Sequence, residues 1–257
     1  FRNNYTIMQK PSFSFFYLFF NLKNEKFKDI RIRQALSLAI DRQELVDILF
    51  FGYGKVCNGP FLPNSFAYNE DIKTITQDII KAKELLKEAG YDENHPFSFE
   101  VVTNTGNDIR INAALILQYQ LQKAGIKMNI RVMEWQAFLN TVVHPRNFEA
   151  VLLGWSMALM PDAYPIWHST SSKLGGFNFV SYENPKVDNL IEKGNNTVNR
   201  DELGKIYKDI FKIITDDLPY LFLYIPDSIS AVNKNIKNIE PSFIGIMHNQ
   251  KDWEIQE

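Results

Sequence analysis

Hydrophobic and polar positions alternate along the chain in a way that separates strands from helices. The run FSFFYLFF (13–20) carries a single polar residue, as expected of a strand buried on both faces. FSFEVVT (97–103) and IKMNIRVME (126–134) alternate with period two; in the second, Ile126, Met128, Ile130 and Val132 share one face. FEAVLLGW (148–155) and YLFLYIPDSISAV (220–232) are further apolar strands, the last interrupted by Pro226. Between them the period changes to that of helices. Residues 28–52 read as one helix capped by Asp29 and stopped by Gly52, with Ile32, Ala35, Leu36, Ala39 and Ile40 on its buried face. Residues 76–90 read as a helix with Thr76 as cap, Gly90 just past its end, and a stripe of Ile79, Leu85, Leu86 and Ala89. Residues 107–125 form a third, 135–143 a short one, 184–195 one capped by Asn184 with Pro185 at its first position, and 200–217 a long one stopped by Pro219. Strand 97–103, helix 107–125 and strand 126–134 follow with short joins, so the two strands should be parallel. The layer architecture is α/β.

One segment fits neither period. LGWSMALMPDAYPIWHS (153–169) crowds Trp155, Asp162, Tyr164, Trp167 and His168 among prolines and methionines. Aromatic loops either plug the end of a core or line a pocket. This one leaves the C-terminal end of a sheet strand, where α/β folds place their ligand clefts, and the position favours the pocket. Asp162 is either a turn residue after Pro161 or a carboxylate held among aromatics to meet a ligand's cation. His168 is either a partly buried structural residue or a ligand contact. The expectation is one concavity surrounded by Trp155, Asp162, Tyr164 and Trp167.

Composition removes other classes. The chain has 257 residues and a net charge of −2, without the basic footprint of a nucleic-acid binder. No apolar run reaches the length of a membrane span. Cys57 is the only cysteine, so no intrachain disulfide can form. The four histidines (95, 144, 168, 248) are scattered without metal-ligand spacing. There is no nucleophile elbow, phosphate-cradling glycine loop or dinucleotide fingerprint. Neither a catalytic set, nor a metal site, nor a cofactor is expected. The start at Phe1, without Met or a signal segment, reads as a processed chain or a fragment.

The order of several motifs carries a resemblance. YLFFNLKNEKFKDIRIRQALSLAIDRQELV (17–46), KAKELLKEAGY (81–91), LQKAGIKMNIRVMEW (121–135), GWSMALMPDAYPIWHS (154–169) and FNFVSYENPKVDNLI (177–191) span nearly the whole sequence. In that order they resemble the C-terminal half of family 5 extracellular solute-binding proteins. The resemblance implies a periplasmic-binding-protein-like (type II) lobe: a mixed sheet with βαβ units flanked by helices. It implies a non-catalytic role in a bacterial ABC importer, capturing peptides or a related small polar solute between two lobes. The partners so implied are that solute, the membrane permease and a missing N-terminal lobe; the location is periplasmic or cell-surface, with or without a lipid anchor. Residues 1–232 would form the lobe with its hinge strands, and 233–257 a tail returning toward the first lobe. Strands 13–20 and 220–232 should then pair. Trp155 matches the family's pocket Trp, whereas Ala158 stands where peptide-binding members carry the Asp that accepts an α-ammonium. Asp162 would be the substitute anion. Two other readings are a ligand-sensing module of a bacterial regulator and a hydrolase, the latter disfavoured by the lack of a nucleophile–base pair.

Overall fold

In the computed structural model, which describes residues 4–63, 65–158, 160–242 and 245–256, the strand at 13–20 becomes β2 (Ser14–Phe20) and lies at the centre of a mixed sheet. Its neighbours are β6 (Ala150–Ser156) and β7 (Tyr220–Asn233), both antiparallel to it. Beyond β6 come β4 (Ser98–Asn104) and β5 (Lys127–Met133); β4 runs parallel to both β5 and β6. On the other side β1 (Tyr5–Pro11) and the short β3 (Gly54–Val56) pair with β7. The two apolar strands from opposite ends of the chain are therefore hydrogen-bonded neighbours.

The run of aromatics in β2 divides between two cores. Phe15, Tyr17 and Phe19 point into one with Val151, Tyr220 and Phe222, roofed by α7 (Pro185–Asn195) and α8 (Arg200–Asp217) through Val187, Ile191, Ile210 and Phe211. Leu18 and Phe20 point the other way. They meet Leu152 and Leu221, and the helices α1 (Ile30–Leu38), α2 (Arg42–Phe50), α3 (Ile79–Glu88) and α4 (Asp108–Lys123) cover that face. A strand with helices on both faces has no solvent side, hence its lack of polar positions. The βαβ unit expected at 97–134 is β4–α4–β5, with Asn107 accepting from Arg110 N at the helix cap.

Five details differ from expectation. The helix read at 28–52 is two helices broken at residues 39–41, because Asp41 turns outward to cap α2 through Glu44 N. Gln120 holds that break by bonding both Asp41 N and Asp41 O, and buried Arg42 donates to Ser37 O and Phe222 O. Phe51, not Gly52, takes the left-handed cap position of α2 (φ 53°). Asp78, not Thr76, caps α3, since its side chain reaches Lys81 N. Pro226 does not interrupt β7; the strand changes partners there, from β2 and β3 to β1, and Pro226 O accepts from Ser12 N. On β5, Val132 is exposed rather than buried with Met128.

After β7 the chain packs loosely. Ile236–Lys237 (β8) and Glu254–Ile255 (β9) form a separate two-stranded pair around a short 3-10 segment. Asn249 ties that segment together, accepting from Trp253 Nε1 and donating to Asn238 O. Met247 and Ile255 are exposed.

Candidate functional site

Because β4, β5 and β6 are parallel and β2 is antiparallel to β6, one sheet edge gathers Asn104, Met133, Ser156 and Ser14. Helix α4 begins there, as does the helical turn α5 (Trp135–Phe138). The side chain that dominates this edge is Arg110. Its guanidinium lies over the Phe16 ring at 5.6 Å and the Trp135 ring at 5.8 Å from the centroids, two cation–π contacts. Nη1 donates to Asn104 Oδ1, and Nε is buried without a hydrogen-bond partner. No carboxylate among the described residues pairs with it, and burial pulls its pKa below the ordinary arginine value. The Tyr17 and Tyr224 hydroxyls nearby are likewise buried and unpartnered. A cation held by rings and an amide, with donor capacity left over, has the chemistry to take up an anion.

Gly154 makes this arrangement possible. A Cβ there would come within 2.9 Å of the Phe16 ring, so a side chain on β6 would displace the surface under Arg110.

The residues of the aromatic loop are distributed rather than gathered. Trp155, half-buried, stacks on Phe179 (5.9 Å, 7° between planes) and on Tyr17 (6.3 Å), with Phe177 against its edge. Tyr17 stacks in turn on Tyr220 at 4.6 Å, and Trp167 closes on Tyr220 at 4.6 Å. Trp155 and Trp167 thus sit at two ends of one aromatic stack, and Trp167 is fully buried. The Trp155 indole N–H and the Tyr220 hydroxyl face one another without reaching hydrogen-bond geometry. Asp162 is exposed, and its Oδ1 accepts from Tyr164 N, a turn-capping bond. Tyr164 stacks on His168 at 4.3 Å, and both bond to Thr170 Oγ1. His168 is buried, with Nε2 3.5 Å from Glu192 Oε1 and 4.0 Å from Asp188 Oδ1. The single concavity expected of Trp155, Asp162, Tyr164 and Trp167 is not what the loop forms, because the Trp167 ring is taken up by the core. Leu159 lies outside the described residues.

The same loop does border a cavity, through other side chains. Met157, Ala158 and Pro161 line a space of about 80 Å³ together with Phe13, Phe61, Leu62 and Ile225. It lies beside the start of β2, where Met157 N donates to Phe13 O. Arg110, Phe16 and this cavity were not singled out by sequence pattern. The one available signal was position: each follows or precedes a strand end on this edge. Among the described residues no group of three His, Cys, Asp or Glu side chains is placed to hold a metal ion, and no helix is long and apolar enough to cross a membrane.

Comparison with known proteins identifies the family. The family described as bacterial extracellular solute-binding proteins, family 5 (middle region), matches residues 2–177. The oligopeptide-binding protein AppA of Bacillus subtilis is 34% identical over 98% of this chain and 48% of its own length. The nickel-binding protein NikA of Staphylococcus aureus is 29% identical over 95% of the chain and 49% of its own length. The structure of Bacillus subtilis AppA with a nonapeptide superposes with a TM-score of 0.85, over 99% of this chain and 53% of that one. DppA of Helicobacter pylori with a bound peptide, 26% identical, gives 0.82 over 98% and 49%. The chain spans about half the length of the curated relatives it matches. Its mixed sheet with flanking helices is the periplasmic-binding-protein fold, and the chain belongs to the family 5 bacterial extracellular solute-binding proteins.

Proposed function

We propose that this chain is one lobe of the solute-binding component of a bacterial ABC importer, and that its sheet edge forms one wall of the solute cleft. The observation that carries this is Arg110: a guanidinium over half buried between Phe16 and Trp135, without a carboxylate partner among the described residues, at the strand ends where α/β folds bind ligands. Leaving such a charge unpaired is costly unless a ligand's anion completes it. The solute is therefore a peptide or related small molecule bearing a carboxylate, with apolar parts lying on Trp155, Phe177 and the cavity beside Ala158. The lobe binds without catalysis. Its other wall belongs to an N-terminal lobe, toward which residues 233–257 return, and the closed pair docks on a membrane permease outside the cytoplasmic membrane, in the periplasm or on a lipid anchor. Relatives named for oligopeptides, glutathione and nickel support a binding role over an enzymatic one.

Native mass spectrometry of the intact two-lobed protein, incubated with a pool of short peptides, tests this reading. Peptides with free C-terminal carboxylates should be retained by the wild type and lost, by roughly tenfold or more, from Arg110→Gln, since one charge-assisted contact is worth about 1.5–3 kcal/mol. Equal retention by both proteins would overturn the assignment.

A further inference from the structure

We infer that the cavity beside Ala158 receives an uncharged apolar group of the solute and rejects an ammonium group; the inference rests on the solute-binding reading above. The cavity's volume, about 80 Å³, is several times the ~10–15 Å³ needed to hold one water and suits a branched aliphatic or thioether side chain. Phe13, Phe61, Leu62, Met157, Ala158 and Ile225 supply apolar surface. The two serines that border it are engaged locally: Ser12 Oγ accepts from Ser14 N and donates to Ser14 O, and Ser65 Oγ accepts from Ala67 N, so neither brings a formal charge to the space. Among the described residues the only charged side chain on the lining is Lys55, a cation.

An ammonium entering this space would be desolvated, find no carboxylate and approach a like charge, three unfavourable effects of the same sign. Asp162 does not relieve this, because its Oδ1 caps Tyr164 N and it does not border the cavity. An apolar group instead replaces poorly bonded water and gains contact on several sides. Arg110 and the cavity lie at the same sheet edge, on opposite faces of the β2–β6 pair. A solute anchored by its carboxylate at Arg110 would cross over Gly154 and Trp155 to place an apolar group here.

The test uses the intact protein and an equimolar pool of tetrapeptides with free carboxylates, each position varied among Leu, Met, Asp and Lys, with retained peptides identified by native mass spectrometry. The wild type should retain Leu or Met over Lys at one position by roughly tenfold or more. Ala158→Asp should reverse that preference toward Lys, and Ala158→Phe, which fills the space from an exposed loop position, should abolish the preference for Leu while the carboxylate is still required. Lys retained as well as Leu by the wild type, or a Leu-to-Lys ratio unchanged in both variants, would overturn the inference and leave the solute-binding reading standing. No peptide retained by any of the three proteins would overturn both.

Discussion

Buried ionisable side chains set the chemistry of this chain more than its exposed ones do. Cys57, beside Arg42 and 3.5 Å from Gly59 O, has its thiol pushed up by burial from 9.0 to about 12. A group whose folded pKa is raised contributes stability in full below its unfolded value, and that contribution is lost as pH rises through the folded value. The Cys57 contribution therefore falls between about pH 9 and pH 12. Burial also raises Tyr17, Tyr220 and Tyr224, with the same sign. Denaturant titrations at rising alkaline pH should show stability declining over this window, and tyrosinate absorbance should appear in step with unfolding; independent ionisation of these phenols in a folded chain would contradict their burial. At mildly alkaline pH a thiol reagent should leave folded Cys57 unmodified and label it fully in denaturant. Among the loop residues, Trp167→Ala should cost about 3–5 kcal/mol in chemical denaturation, because it empties the space under Tyr220. The sequence marks Trp155 and Trp167 alike as aromatics in a broken segment; only packing separates the half-buried one from the buried one. Arg110 was less visible still. Its neighbours Phe16 and Trp135 come from distant segments, and nothing in the local pattern of α4 distinguishes it from a solvated helix arginine.

At the level of elements, strong periodicity was legible and its interruptions were not. β2, α4, α7 and α8 follow directly from apolar spacing and cap residues. The break between α1 and α2 did not, because the hydrophobic period continues through Ala39 and Ile40; the Asp41 cap on Glu44 N is local, but the bonds that hold the turn, from Gln120 to residue 41 and from Arg42 to Phe222 O, span distant segments. Asp41→Ala should cost about 1 kcal/mol, the usual value of a lost N-cap, while the Gln120 bonds to the backbone N and O of residue 41 remain. Denaturant midpoints of the single and double variants with Gln120→Ala would show whether the two act as a unit. Gly154→Ala is the corresponding probe of β6. Its Cβ would press on Phe16 at 2.9 Å, so a cost of about 1–3 kcal/mol is expected, together with weakened solute retention through displacement of Arg110. Pro226 looked like a strand break, whereas its missing N–H falls where β7 changes partners.

For the whole molecule, the chain enters through β1 and β2 and leaves through β7, all side by side in one sheet. The segment beyond β7 buries little: of the residues after 233, Ile239 and Asn249 are the buried ones among those described. Hydrogen exchange should accordingly be fast in 236–242 and 245–256 and slow in β2 and β6; protection of the tail equal to that of β2 would show it to be part of the core. On the proposed reading this chain is one wall of a cleft, and one wall buries less of a solute than a closed cleft, so binding is to be measured on the protein that carries both lobes. The most direct measurement is a double-mutant cycle by calorimetry, pairing wild type and Arg110→Gln with one retained peptide in its free-carboxylate and C-terminally amidated forms. If Arg110 holds the carboxylate, either change alone should weaken binding by roughly tenfold or more, and the two together should weaken it little further. Fully additive losses, or an affinity indifferent to Arg110→Gln, would contradict the assignment of this sheet edge as the anion-holding wall of the cleft.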